Sequence, residues 1–199
     1  MVRPIEDYDK RIRDIIEMLG MMAYRGQGTS LKPTEEFVEF LDCGLHLLQA
    51  NLDITICMKY MDLSDYNGND AETNHFARVL ALHSHELFED VNILAGLPLK
   101  KYRDDTQYST IMQSIAKKTR EIKSLRKNAN DVLQLESIRN KVIAHRDGSG
   151  SEQARRIVTI DIGAMYELGE QLTILCMQLF GLLMELNKSV PDKLTFSAE

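Results

Sequence analysis

The stretch MYELGEQLTILCMQLFGLLMEL, residues 165–186, decides the fold class. Met165, Leu168, Leu172, Leu175, Leu179, Leu182 and Leu186 recur at alternating spacings of three and four, which keeps one face of an α-helix apolar. Such a seam packs either inside a helical bundle or across a dimer. Working outward, the rest of the chain repeats the helical period. Ile5, Ile12, Ile15, Ile16, Leu19 and Met22 predict a first helix from Pro4 to Tyr24, with Pro4 suited to a first turn. Gly26, Gly28 and Pro33 break the chain, and Thr34 is placed to cap a second helix that opens on Glu35 and Glu36. Its predicted stripe is Phe37, Leu41, Leu45, Leu48, Leu52 and Ile56.

The polar run from Ser64 to Asp70 predicts a turn. A third helix over Glu72–Ala95 then carries Phe76, Leu80, His83, Leu87, Val91 and Leu94, and Gly96 and Pro98 are expected to end it. A fourth runs from Thr106 to Lys127 on a thin stripe of Ile111, Ile115, Ile122 and Leu125. A polar hinge at Asn128–Asn130 separates it from a fifth, Val132–Arg146, and the run GSGS at 148–151 is a flexible break. No stretch alternates with the period of a strand. The expected fold is an all-α, up-and-down bundle of about five to six helices in one domain spanning residues 1–199.

Composition agrees with this reading. The chain has 199 residues, 44% hydrophobic and 27% charged, with 11 Gly, 4 Pro, 10 Met and no Trp, which excludes disordered, collagen-like and turn-rich β classes. The most apolar run, Leu172–Leu186, is too short and too interrupted by Gln178 and Glu185 for a membrane span. The N-terminus is unlike a signal peptide, and Cys43, Cys57 and Cys176 form no paired motif, so a cytoplasmic protein with buried thiols is expected. His83, His85, Glu86 and Glu89 look like a ligand cluster. However, His83 and His85 would point about 160° apart on a helix, so His83 is read as a hydrogen-bonded core histidine and no metal or cofactor is expected.

Net charge is −6, unfavourable for a nucleic-acid binder, yet it is unevenly placed. Residues 99–159 hold 14 Lys/Arg against 7 Asp/Glu, giving +7, and the remainder holds 10 against 23, giving −13. Within the basic segment Lys117, Arg120, Lys123 and Lys127 share a sector of roughly 120°, opposite the apolar stripe. One basic and one buried face suit a helix that tracks a phosphate backbone, although a merely solvated surface gives the same pattern.

Directly after that helix stands LESIRNKVIAHRD, residues 135–147. Arg139 is followed by Asn140, five residues separate Arg139 from His145, and Arg146 and Asp147 follow. The pattern resembles the HEPN superfamily, in particular its abortive-infection branch. The likeness covers residues 34–188 and leaves residues 1–25 as an additional N-terminal helix. That superfamily's signature allows four to six residues between Arg and His, and Arg78 with four residues before His83 also meets it, so spacing alone is not diagnostic.

The resemblance implies a metal-independent endoribonuclease that leaves 2′,3′-cyclic phosphate ends, acting as a homodimer in phage defence or a toxin–antitoxin system. RNA is then the substrate, and an antitoxin or regulatory protein, acidic or nucleotidyltransferase-like, is the further partner. The residue types fit that chemistry. An imidazole exchanges a proton near neutrality, an Arg fork stays charged and grips phosphate oxygens, and Asn140 can orient either. Arg146 is a second contact to RNA beside Lys117, Arg120, Lys123 and Lys127. On an ideal helix Arg139 and His145 are about 120° apart in azimuth and about 9 Å apart along the axis, so two copies facing each other make the tighter site. The other reading stays open: His145 capping its own helix, Arg139 paired with Glu136 or Asp131, and a non-catalytic interaction or nucleotide-binding protein.

Overall fold

In the computed structural model, which describes residues 4–24, 32–33, 35–102, 104–138, 160–189 and 194–195, nearly all of the described chain is helical. The elements are α1 (Ile5–Tyr24), α2 (Glu35–Tyr66), α3 (Asp70–Lys101), a 3₁₀ turn (Thr106–Tyr108), α4 (Ser109–Leu133), a single turn α5 (Leu135–Ile138) and α6 (Ile162–Ser189). A two-residue antiparallel pairing of Lys32 and Pro33 with Thr195 and Leu194 is too short to alter the all-α class. Thr34, Gly26, Gly28 and the run 148–151 lie outside the described residues, as does the side chain of Phe37.

Helix α2 ends three residues later than the polar run predicts, with Ser64 buried inside it. Gly68 then adopts φ 67°, a left-handed conformation that glycine enters without steric cost. Its N–H donates to the Asp65 carbonyl at 3.0 Å and that of Asn69 to the Ser64 carbonyl at 2.8 Å, so the last carbonyls of α2 are satisfied. Asn69 at once caps α3: its Oδ1 accepts from the Glu72 N–H at 3.2 Å, and its Nδ2 donates to the Glu72 carboxylate at 2.9 Å.

Helix α3 continues through Gly96 and Pro98 to Lys101, past its expected end. Leu94, Ala95 and Tyr102 are buried there, and Tyr102 meets Tyr108 edge to face at 5.3 Å, so packing outweighs the weak local propensity. The α4 break also moves. Ala129 is buried, the helix runs through Asn128–Asn130, and the chain turns instead at Gln134, with φ 53° and ψ 39°.

Helices α2, α3, α4 and α6 enclose the main core, and α1 lies along α2. The α6 seam packs inside the bundle rather than on its surface, with Met165, Leu172, Cys176, Leu179, Leu183 and Leu186 fully buried. Cys176 and Leu183 therefore replace the expected Leu175 and Leu182, which sit at the margin. Helix α2 is buried on two sides. Leu48 faces Ile15 and Met22 of α1, while Leu47, Ile54, Met58 and Met61 face the main core. Among the described residues no helix is long and apolar enough to cross a membrane.

The tightest approach is at Gly169, where an added Cβ would lie 2.7 Å from Met58 Sδ and 3.1 Å from its Cγ. Gly181, on the exposed side of the same helix, has nothing within 4 Å of the equivalent position. Gly169→Ala should therefore destabilise the protein by about 1–3 kcal/mol through overpacking. Gly181→Ala should stabilise it by about 0.5–1 kcal/mol, by removing glycine's entropy cost in a helix. The urea midpoints of the two variants check both signs.

Candidate nucleic-acid interface

Helix α4 separates its residues cleanly by face. Met112, Ile115, Thr119, Ile122 and Ala129 are buried, whereas Lys117, Arg120, Lys123 and Lys127 are all exposed. The ten-residue span from Lys117 to Lys127 corresponds to about 15 Å of helix. None of these four cations lies within 4 Å of a carboxylate among the described residues. The neighbouring cations differ: Lys118 pairs with Glu121 at 2.7 Å, and Arg126 pairs with Glu89 of α3. The basic helix thus commits some cations to the scaffold and leaves a row of others facing solvent.

Beside that row, α4 and α6 diverge to leave an open cleft of about 490 Å³. Leu125 and Leu175 supply its apolar lining, and Ser124, Asn128 and Gln171 contribute hydroxyl and amide groups. Glu121, Asp131 and Lys127 bring charge. The hydrogen bond from Lys118 holds the Glu121 carboxyl below its ordinary range, so it is a carboxylate at neutral pH. A smaller depression continues along the same helices past Val132, Ala164 and Glu167. The cleft joins polar faces of two helices far apart in sequence, so no local pattern announces it.

The motif residues Arg139, Asn140, His145 and Arg146 lie outside the described residues. The described chain stops at Ile138, at the end of α5, and resumes at Ile160. Asp161 then starts α6, its Oδ1 accepting from the Ala164 N–H at 2.9 Å. The second Arg-to-His pair is inside α3. There Arg78 Nε donates to the Asn74 carbonyl at 3.2 Å on its own helix. His83 is not the core residue expected: its side chain is 28% exposed, with Nδ1 3.6 Å from the Glu86 carboxylate. Its place on α3 lies at the edge of the apolar stripe, where a half-polar ring can keep contact with water. Among the described residues no three His, Cys, Asp or Glu side chains converge as a metal-ligand set.

A polar cluster fastens α1, and sequence reading gave no sign of it. Buried Tyr8 donates to Asp62 of α2 at 2.7 Å and shares a hydrogen bond with Tyr166 of α6. Burial, with both partners adding to it, pushes the Tyr8 hydroxyl far up, so it remains a donor. Lys59 pairs with Asp9 at 2.6 Å, and Arg11 lies 3.6 Å from Glu170.

The chain matches no protein-family model, no curated protein and no solved structure.

The three thiols are buried and unpaired with one another. Burial pushes Cys43 up to about 11, and Cys57 and Cys176 up to about 12, the opposite of an activated nucleophile. Iodoacetamide at pH 8 should leave all three unmodified in the folded protein and alkylate them after urea unfolding, as read by intact mass. Because the folded pKa values lie above the ordinary thiol value of 9.0, this contribution to stability is complete below pH 9. It should decline as pH rises from there toward the folded values, which denaturation at pH 8 and pH 10 would show.

Proposed function

We propose that the protein is a metal-independent endoribonuclease of HEPN type, acting as a homodimer in the cytoplasm in phage defence or a toxin–antitoxin system. The observation that carries this reading is a succession along one stretch of chain. A helix with four exposed cations, Lys117, Arg120, Lys123 and Lys127, is followed by the pattern Arg139-Asn140-x4-His145-Arg146-Asp147. The first supplies sequence-independent attraction for the phosphate backbone, and the second supplies groups able to cut it.

In the proposed reaction the ribose 2′-oxygen attacks the adjacent phosphorus while its proton passes to a base. The bond from phosphorus to the 5′-oxygen breaks, and that oxygen leaves with a proton. The products are a 2′,3′-cyclic phosphate and a 5′-hydroxyl. His145 moves protons, as an imidazole exchanges them near neutrality. Arg139 neutralises the pentavalent phosphorane, with Asn140 orienting the groups. A second copy places another His145 and Arg139 across the two-fold axis, and an antitoxin or regulatory partner restrains the site.

Total RNA incubated in EDTA with the wild-type protein and with His145→Ala tests this. Cleavage by the wild type, lowered by about 10²-fold or more in the variant, is expected for a proton-transfer group. Equal cleavage by both forms sinks the mechanism, and cleavage by neither assigns the chain to a non-catalytic role. Reversing Lys117 and Lys123 to Glu should also flatten the salt dependence of RNA binding by about 0.7 per lysine in log–log slope. Both side chains are exposed, so the melting temperature should hardly move.

A further inference from the structure

We infer that the cleft between α4 and α6 is a base-reading pocket for single-stranded RNA, preferring bases that carry an exocyclic amine over uracil. This rests on the reading of the protein as an RNA binder and adds a sequence preference to it. Three observations support it.

The first is continuity. Lys127 belongs both to the exposed cationic row of α4 and to the cleft wall. A strand whose phosphates follow Lys123 and Lys127 therefore has a cavity beside it for a splayed base. Sequence-specific recognition of RNA generally takes this form, with an unstacked base held on its hydrogen-bonding edge.

The second is the lining. Leu125 and Leu175 offer apolar surface to the faces of a planar ring, while Asn128 and Gln171 offer amides that both donate and accept. At about 490 Å³ the cleft falls within the range that holds small ligands, roughly 300–1,000 Å³.

The third is the sign of the charge. Glu121 and Asp131 are acceptors only when ionised, and Glu121, which accepts from Lys118 at 2.7 Å through Oε2, keeps its other oxygen for a further donor. Carboxylates near a nucleic acid repel its phosphates and accept from amino groups. Side-chain amides pair well with adenine, and carboxylates with the cytosine amine. Uracil offers two carbonyls and a ring N–H but no exocyclic amine, so it gives Glu121 and Asp131 less to accept than adenine or cytosine does. The phosphates belong on the lysine row and the base in the cleft.

Fluorescence anisotropy with short 2′-O-methyl adenine, cytosine and uracil homopolymers, which lack the attacking 2′-hydroxyl and so stay intact, tests the inference at fixed salt. The wild type should bind the adenine and cytosine strands about tenfold more tightly than the uracil strand, the discrimination of one good base-edge contact. Gln171→Ala and Asp131→Ala each change an exposed side chain and should lower adenine and cytosine affinity toward that of uracil. Lys123→Glu should weaken all three strands alike. Equal wild-type binding of the three strands overturns the base-reading cleft while leaving RNA binding intact, and binding of none overturns both. If Gln171→Ala instead changes the sedimentation of the protein and not its base preference, the cleft is a surface between copies and the inference fails. Circular dichroism of each variant confirms that the comparison is between folded proteins.

Discussion

The side chain of Asn51 crosses from α2 to donate to the backbone carbonyl of Thr173 in α6 at 3.0 Å, in a layer of the protein with no access to water. Thr55 caps the arrangement by donating to the Asn51 carbonyl at 2.7 Å. A buried amide left unpaired costs about 1–3 kcal/mol, so sliding α6 along α2 by one turn is penalised at this point. With that register set, Gly169 meets Met58, and Gly44 meets Met22, Phe180 and Met184. The two glycines let α2 approach its neighbours closely at opposite ends of the helix. Everything α6 touches follows from that alignment, including the separation from α4 that opens the cleft.

The all-α class, the N-terminal helix and the exposed basic row were legible in the sequence, because each is a statement about one helix and its period. The finer errors have common physical causes. The expected and observed seams both run from Met165 to Leu186 with the same mean spacing, but Leu175–Cys176 and Leu182–Leu183 are apolar pairs, and which member of each faces inward is set by the neighbouring helices rather than by the period. Cys176 and Leu183 take the interior places, and Leu175 reaches the cleft wall. Gly96 and Pro98 look like a helix end only until the burial of Leu94 and Ala95 is known. The cleft and the Tyr8–Asp62–Tyr166 cluster each need residues from two or three helices at once. The motif is legible only as a pattern of residue types.

Charge segregation along the chain has a structural counterpart. Cations that touch carboxylates, such as Lys59 with Asp9 and Arg126 with Glu89, join one helix to another. Among the described residues, the cations of the α4 row form no such ion pair between helices. They therefore raise local self-repulsion without tying the bundle together, a cost that an anionic ligand would relieve.

Gln134, with φ 53°, is the joint between α4 and α5. A residue other than glycine in the left-handed region carries about 1–2 kcal/mol of steric penalty. It is held there by the Gln134 N–H bond to the Asn130 carbonyl and by the Asn130 side chain accepting from Glu136 N–H, both at 3.2 Å. Past this joint the chain leaves the axis of α4, and α5 packs against α3. Leu135 and Ile138 are buried in the main core, so the two dihedral angles of Gln134 and this packing together fix the direction of α5. A substitution at this one backbone position would therefore be felt first at a buried leucine, one residue further along the chain.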